Sequence, residues 1–183
     1  MEYSVAKAAE DVYNAFRQGD IKFLRKISNA CAESMATEGE AGMLSLSAIS
    51  YVLGKIMEKP RYFRDKKLEE LTSFVENKLQ ECAEQAKKGD REAFRQTCSE
   101  ITKYLEEFDE KNKRYAHGLF EKAHVKIAAR LYAQGFSLSY VVSITGADTQ
   151  EVLKYIGQTL MFDRVGKTKG VEERLSHARR IFK

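Results

Sequence analysis

Three sets of residues have types and spacings that chemistry could use. Gly166-Lys167-Thr168 has the ending of a phosphate-cradling loop. The full pattern, GxxxxGK followed by Ser or Thr, needs an earlier glycine so that backbone N–H groups can turn toward the phosphates. Met161 stands where that glycine is required and no buried strand precedes it, so no nucleotide site is expected. His117, Glu121 and His124 fall at i, i+4 and i+7, on one helix face, where they could converge on a metal. Glu121-x-x-His124 has the spacing used in di-iron bundles, but those bundles need a second such pair and two further carboxylates. No second E-x-x-H occurs, so surface or partly buried histidines are expected and no metal. Cys31, Cys82 and Cys98 show no CxxC spacing, and each falls on an apolar stripe. They read as reduced core thiols of a cytoplasmic protein rather than as a disulfide frame or a catalytic Cys–His pair.

The acids of residues 65–110 look like the wet faces of long helices, with pairs such as Glu84–Lys88 at i, i+4. No paired carboxylates stand isolated in apolar surroundings. Catalysis is therefore not expected, and neither is a cofactor.

One polar set does have a structural context. Thr149, Gln150, Lys154 and Gln158 share the face of a short helix opposite Val152, Tyr155, Ile156 and Leu160. Asp148 and Glu151 have the N-cap and N3 spacing of a capping box at its start. Before it, Ser137 caps another short helix with Leu138, Val141, Val142 and Thr145 inward, and Gly146 ends that helix. A longer helix precedes both, with Phe120, Ala123, Ile127, Leu131 and Tyr132 in one stripe and Gly135 at its end. Gly146 permits the left-handed backbone of a sharp turn, and the apolar offsets hold the helices crossed.

This arrangement, over residues 116–161, resembles the helix-turn-helix superfamily of DNA-binding domains. The resemblance implies that the helix from Thr149 is a recognition helix. Its glutamines can pair with adenine, and Lys154 can reach guanine or phosphate. Two positions depart from the pattern: Val142 is bulkier than the usual alanine, and Thr145 replaces a larger apolar residue. Asp148 and Glu151 also put negative charge where phosphates would approach. The stretch EKAHVKIAARLYAQGFSLSYVVSITG with YIGQT further resembles an uncharacterised archaeal helical family, which implies no function.

The charge distribution points the same way. The chain carries a formal net charge of +4. Residues 1–110 hold 17 basic and 21 acidic side chains, a net −4, whereas residues 111–183 hold 14 and 6, a net +8. A basic end on an acidic body is the footprint of a polyanion contact. After Leu160, MFDRVGKTKGV could form a wing-like hairpin presenting Arg164, Lys167 and Lys169, or a plain loop. A final helix would show Arg174, His177, Arg180 and Lys183 to solvent.

The elements that must carry this module are helical. Val5, Ala8, Ala9, Val12, Tyr13 and Phe16 form one stripe, and Leu24, Ile27, Cys31 and Met35 a second. Residues 43–57 contain a single charge, Lys55, and predict a helix buried on most sides, ending before Pro60. Leu68 to Ala86 and Phe94 to Phe108 supply two more stripes. Gly19-Asp20 and Gly89-Asp90 pair a helix stop with a helix start, the same capping solution used twice.

The 183 residues, 43% hydrophobic with one proline, exclude disorder, and the apolar runs are too short to span a bilayer. The N-terminus lacks a signal-peptide pattern. The expectation is an all-α chain with a bundle at 1–110 for oligomerisation, partner or ligand binding, and a basic helix-turn-helix module at 111–183. The expected function is that of a DNA-binding transcriptional regulator, a homodimer on double-stranded DNA. An RNA- or ribosome-associated protein is one alternative, and a helical protein-interaction module whose motif is only structural is another.

Overall fold

The computed structural model describes residues 3–38, 41–58, 66–111 and 118–159. Over these the chain is all-helical, with eight helices and no strand. They are α1 (Val5–Gln18), α2 (Ile21–Glu38), α3 (Ala41–Met57), α4 (Lys66–Lys88), α5 (Arg91–Lys111), α6 (Leu119–Ala133), α7 (Leu138–Thr145) and α8 (Thr149–Thr159). No described helix is long and apolar enough to cross a membrane. The expected hairpin and final helix beyond Leu160 lie outside the described residues, as does Pro60.

The two Gly-Asp breaks use one hydrogen-bond pattern. Gly19 takes φ 70° and Gly89 φ 73°, the left-handed region that glycine enters without a Cβ penalty. Gly19 N–H donates to the Phe16 carbonyl and Asp20 N–H to the Ala15 carbonyl; Gly89 and Asp90 repeat this with Ala86 and Gln85. That is the Schellman closure, which satisfies the last carbonyls of a helix. Each aspartate then caps the next helix: Asp20 Oδ1 accepts from Phe23 N–H at 2.8 Å, and Asp90 Oδ1 from Ala93 N–H at 3.1 Å.

α3 occupies the middle, packed against α1, α2, α5 and α6. Met43, Leu46, Ile49, Val52 and Leu53 are fully buried, and so are Ser47 and Ser50. Both hydroxyls are satisfied locally: Ser47 donates to the Ser28 carbonyl at 2.7 Å and Ser50 to the Leu46 carbonyl at 2.6 Å. Gly42 allows close approach, since a Cβ there would stand 3.0 Å from the Phe94 ring and 3.4 Å from Val5.

α4 packs against α5, where Phe74 stacks on Tyr104, and Leu71, Val75 and Leu79 of α4 and Ile101 and Leu105 of α5 are all buried. Cys82 and Cys98 meet in this interface with their sulfurs 3.6 Å apart. All three cysteines are buried and none is disulfide-bonded, as their places on apolar stripes predict. Burial pushes the Cys31 thiol up to about 12.

The start of α6 is held from a distance. Gly118 precedes it at φ 68° and supplies no side-chain cap. Asp109, buried on α5, fills that role: its Oδ2 accepts from Leu119 N–H at 2.9 Å. A carboxylate at a helix N-terminus also complements the helix dipole. Residues 112–117, at the expected junction, lie outside the described residues. α6 packs against α2, α3 and α5 on the bundle side and against α7 and α8, so one hydrophobic core runs from α1 to α8.

Replacing Asp109 by Ala removes this cap and leaves a buried N–H without its partner. A loss of about 0.5–2 kcal/mol is expected in urea unfolding, with a smaller loss for Asp109→Asn, which keeps an acceptor.

Candidate nucleic-acid interface

α7 and α8 are each defined by their capping residues. The Ser137 hydroxyl accepts from Tyr140 N–H at 3.2 Å and starts α7. Gly146, at φ 68°, ends it and donates to the Val142 carbonyl at 2.9 Å. Only Gly146, Ala147 and Asp148 separate α7 from α8. Asp148 Oδ1 accepts from Glu151 N–H at 2.9 Å, the aspartate half of the expected box. Glu151 pairs instead with Lys154, 3.4 Å away.

Thr145 accounts for its own departure from the pattern. It is 5% exposed, and its hydroxyl donates to the Val141 carbonyl at 2.6 Å and accepts from Ala147 N–H at 3.3 Å. A larger apolar side chain could not close that turn polar group. Val141 is buried beside it, while Leu138 and Val142 are only half-buried.

Val152 and Ile156 are the buried residues of α8, with Tyr155 half-buried. Gln150, Lys154 and Gln158 are exposed, as their spacing predicts, and Thr149 is half-buried. Leu153 is 43% exposed among them, which the periodicity of the polar set did not single out. A large apolar residue one position before Lys154 was the available signal. Tyr140, 42% exposed on α7, stacks on Phe136 with centroids 5.5 Å apart. Arg164, Lys167, Lys169, Arg174 and Arg180 lie outside the described residues, so their relation to α8 is not described.

A cleft of about 560 Å³ opens where α3, α6 and α8 meet. Tyr51 and Tyr155 form walls, Gln158 lines it, and Lys122 and Lys154 are matched by Glu121 and Glu151. Lys154 and Gln158 therefore serve both the exposed face of α8 and this cleft. Of the histidine set, His117 lies outside the described residues, and among those described no three His, Cys, Asp or Glu converge to hold a metal. His124 is half-buried beside Phe120, and burial pulls its pKa below the usual 6.5, opposed by Glu121.

Thr145→Val keeps the shape but orphans the buried Ala147 N–H, so a loss of about 1–3 kcal/mol is expected in chemical denaturation. His124 predicts a pH effect of defined sign. Its depressed native pKa means the unfolded chain takes up the proton first as pH falls below 6.5. The stability contributed is complete above that pH and declines below it, and His124→Gln should remove that part of the decline in unfolding series between pH 7 and 5. Comparison with known proteins finds no significant match to a protein-family model, a curated protein or a solved structure.

Proposed function

We propose that α6, α7 and α8 act as a helix-turn-helix module that binds double-stranded DNA, with α8 directed into the major groove. The observation that carries this reading is the division of α8. Val152 and Ile156 are buried, while Gln150, Lys154 and Gln158 stand exposed after a three-residue turn that begins with Gly146. Glutamine is suited to bidentate pairing with adenine and lysine to guanine or phosphate. Leu153 on the same face is suited to apolar contact with thymine methyl groups. In this reading Arg164, Lys167, Lys169, Arg174 and Arg180 supply the salt-dependent attraction, and the net +8 of residues 111–183 supports that role. The bundle of residues 1–110 would pair two copies, so that two modules meet two half-sites, and the protein would regulate transcription by binding rather than catalysis.

The exposure of Leu153 and Tyr140 also favours a second reading, in which the same surface docks a protein and the turn is only structural. Fluorescence anisotropy with duplex DNA and with structured RNA, across a salt series, separates these. DNA affinity that falls steeply with salt is expected, with Gln150→Ala costing about 1–3 kcal/mol of sequence discrimination. Preference for the structured RNA would transfer the module to RNA recognition. Flat titrations on both nucleic acids at low salt would overturn the nucleic-acid reading.

A further inference from the structure

α2, α3 and α6 bring four cations together, two of them at the ring of Tyr51. The Lys126 ammonium lies 4.8 Å from the centre of the Tyr51 ring, and that of Lys55 lies 5.9 Å from it. Arg130, one turn further along α6, and Arg25 of α2 are close enough to act on Lys126. Two carboxylates answer this charge. Glu58 pairs with Arg25 and with Lys55, and Glu33 of α2 pairs with Arg130. Among the described residues no carboxylate lies within ion-pair distance of Lys126.

Lys126 is thus a half-buried cation with three like charges as neighbours. Burial, then Arg130, Lys55 and Arg25, all hold its pKa below the usual lysine range. The negative face of the Tyr51 ring offsets part of this cost, but a ring is a weak counterion beside an anion. Groups of like charge held together by the fold gain most from a ligand of opposite charge. A tetrahedral oxyanion with several acceptor oxygens is the matching chemistry, since ammonium and guanidinium groups both donate to it.

The cluster is continuous with the surface proposed for nucleic acid. Tyr51, which carries Lys126 and Lys55 on its ring, also walls the cleft lined by Lys154 and Gln158. The lysines and glutamates lining that cleft balance, whereas the four cations beside it meet two carboxylates, so the excess positive charge belongs to the cluster that holds Lys126. We infer that Lys126, with Lys55 and Arg25, forms a phosphate-binding site that takes a backbone phosphate of the nucleic acid engaged by α8. This rests on the nucleic-acid reading of α8. Through Lys55 and Arg25 it adds contacts from outside the helix-turn-helix segment, where the net charge of residues 1–110 would not suggest them.

Lys126→Met keeps an unbranched apolar side chain and removes the charge. In anisotropy titrations of the full chain on duplex DNA it is expected to reduce the slope of log affinity against log salt by about one. Near 0.1 M salt the loss is about five- to ten-fold. Lys126→Arg should retain wild-type binding. The melting temperature of the free Lys126→Met protein should equal or exceed wild type, because an uncompensated cation has gone; a purely structural lysine would lower it. A second arm uses inorganic phosphate alone, which should raise the melting temperature of wild type but not of Lys126→Met. Equal salt slopes for wild type and Lys126→Met, with no difference in their response to phosphate, would overturn the site. Failure of the α8 reading looks different: Gln150→Ala with Lys154→Ala would leave DNA binding unchanged while phosphate still stabilised wild type through Lys126.

Discussion

The structure depends on α6 being covered on two sides at once. Leu119, Phe120, Ala123, Ile127, Ala128, Ala129, Leu131 and Ala133 are all buried, far more of its circumference than one amphipathic stripe supplies. Small alanines let neighbouring helices approach, so α6 can lie against α2 and α3 while α7 and α8 pack on it. Whatever α8 presents to solvent is therefore set by α6, and α6 is set by the bundle. The Arg130–Glu33 pair and the Asp109 cap tie the same helix to α2 and α5. The pair is surface-exposed and contributes little, whereas the cap acts on a buried group.

Polar accounting explains where the helices stop. The two Gly-Asp turns close their carbonyls through one bonding pattern, and the following aspartates answer the next set of N–H groups. Ser137, Asp148 and Thr145 do the same for α7 and α8 with three different side chains. Ser47 and Ser50 achieve it inside α3, which keeps a nearly chargeless helix soluble in its own core without orphaned hydroxyls. At Ser47, Ser50 and Thr145 the groups are buried and would otherwise lose their water without replacement, whereas the caps by Asp20, Asp90, Ser137 and Asp148 act on exposed N–H groups.

Charge is organised over the same frame. On α8, Glu151 pairs with Lys154 at the surface, an exposed pair that contributes little and leaves the ammonium donors for other partners. Around Lys126 cations are in excess, with Arg25, Lys55, Lys126 and Arg130 answered by Glu33 and Glu58. Segment sums do not show this, because the cluster draws Arg25 and Lys55 from the acidic residues 1–110 and Lys126 and Arg130 from the basic residues 111–183.

Much of the local structure was legible in the chain itself. Apolar periodicity placed the helices, and Gly19, Gly89, Ser137 and Gly146 marked their ends, because caps and stripes are decided by residues within one or two turns. The buried face of α8 followed from Val152 and Ile156, and the exposure of Gln150, Lys154 and Gln158 from the same period. The cap of Leu119 by Asp109, the breadth of the buried face of α6, the exposure of Leu153 and the gathering of Lys126, Lys55 and Arg25 around Tyr51 were decided only in the tertiary structure. Each joins residues on different helices, or depends on which side of a helix a neighbour covers. Periodicity records that a face is apolar, but which helix meets it, and which charges that meeting brings together, is set by packing among all of them.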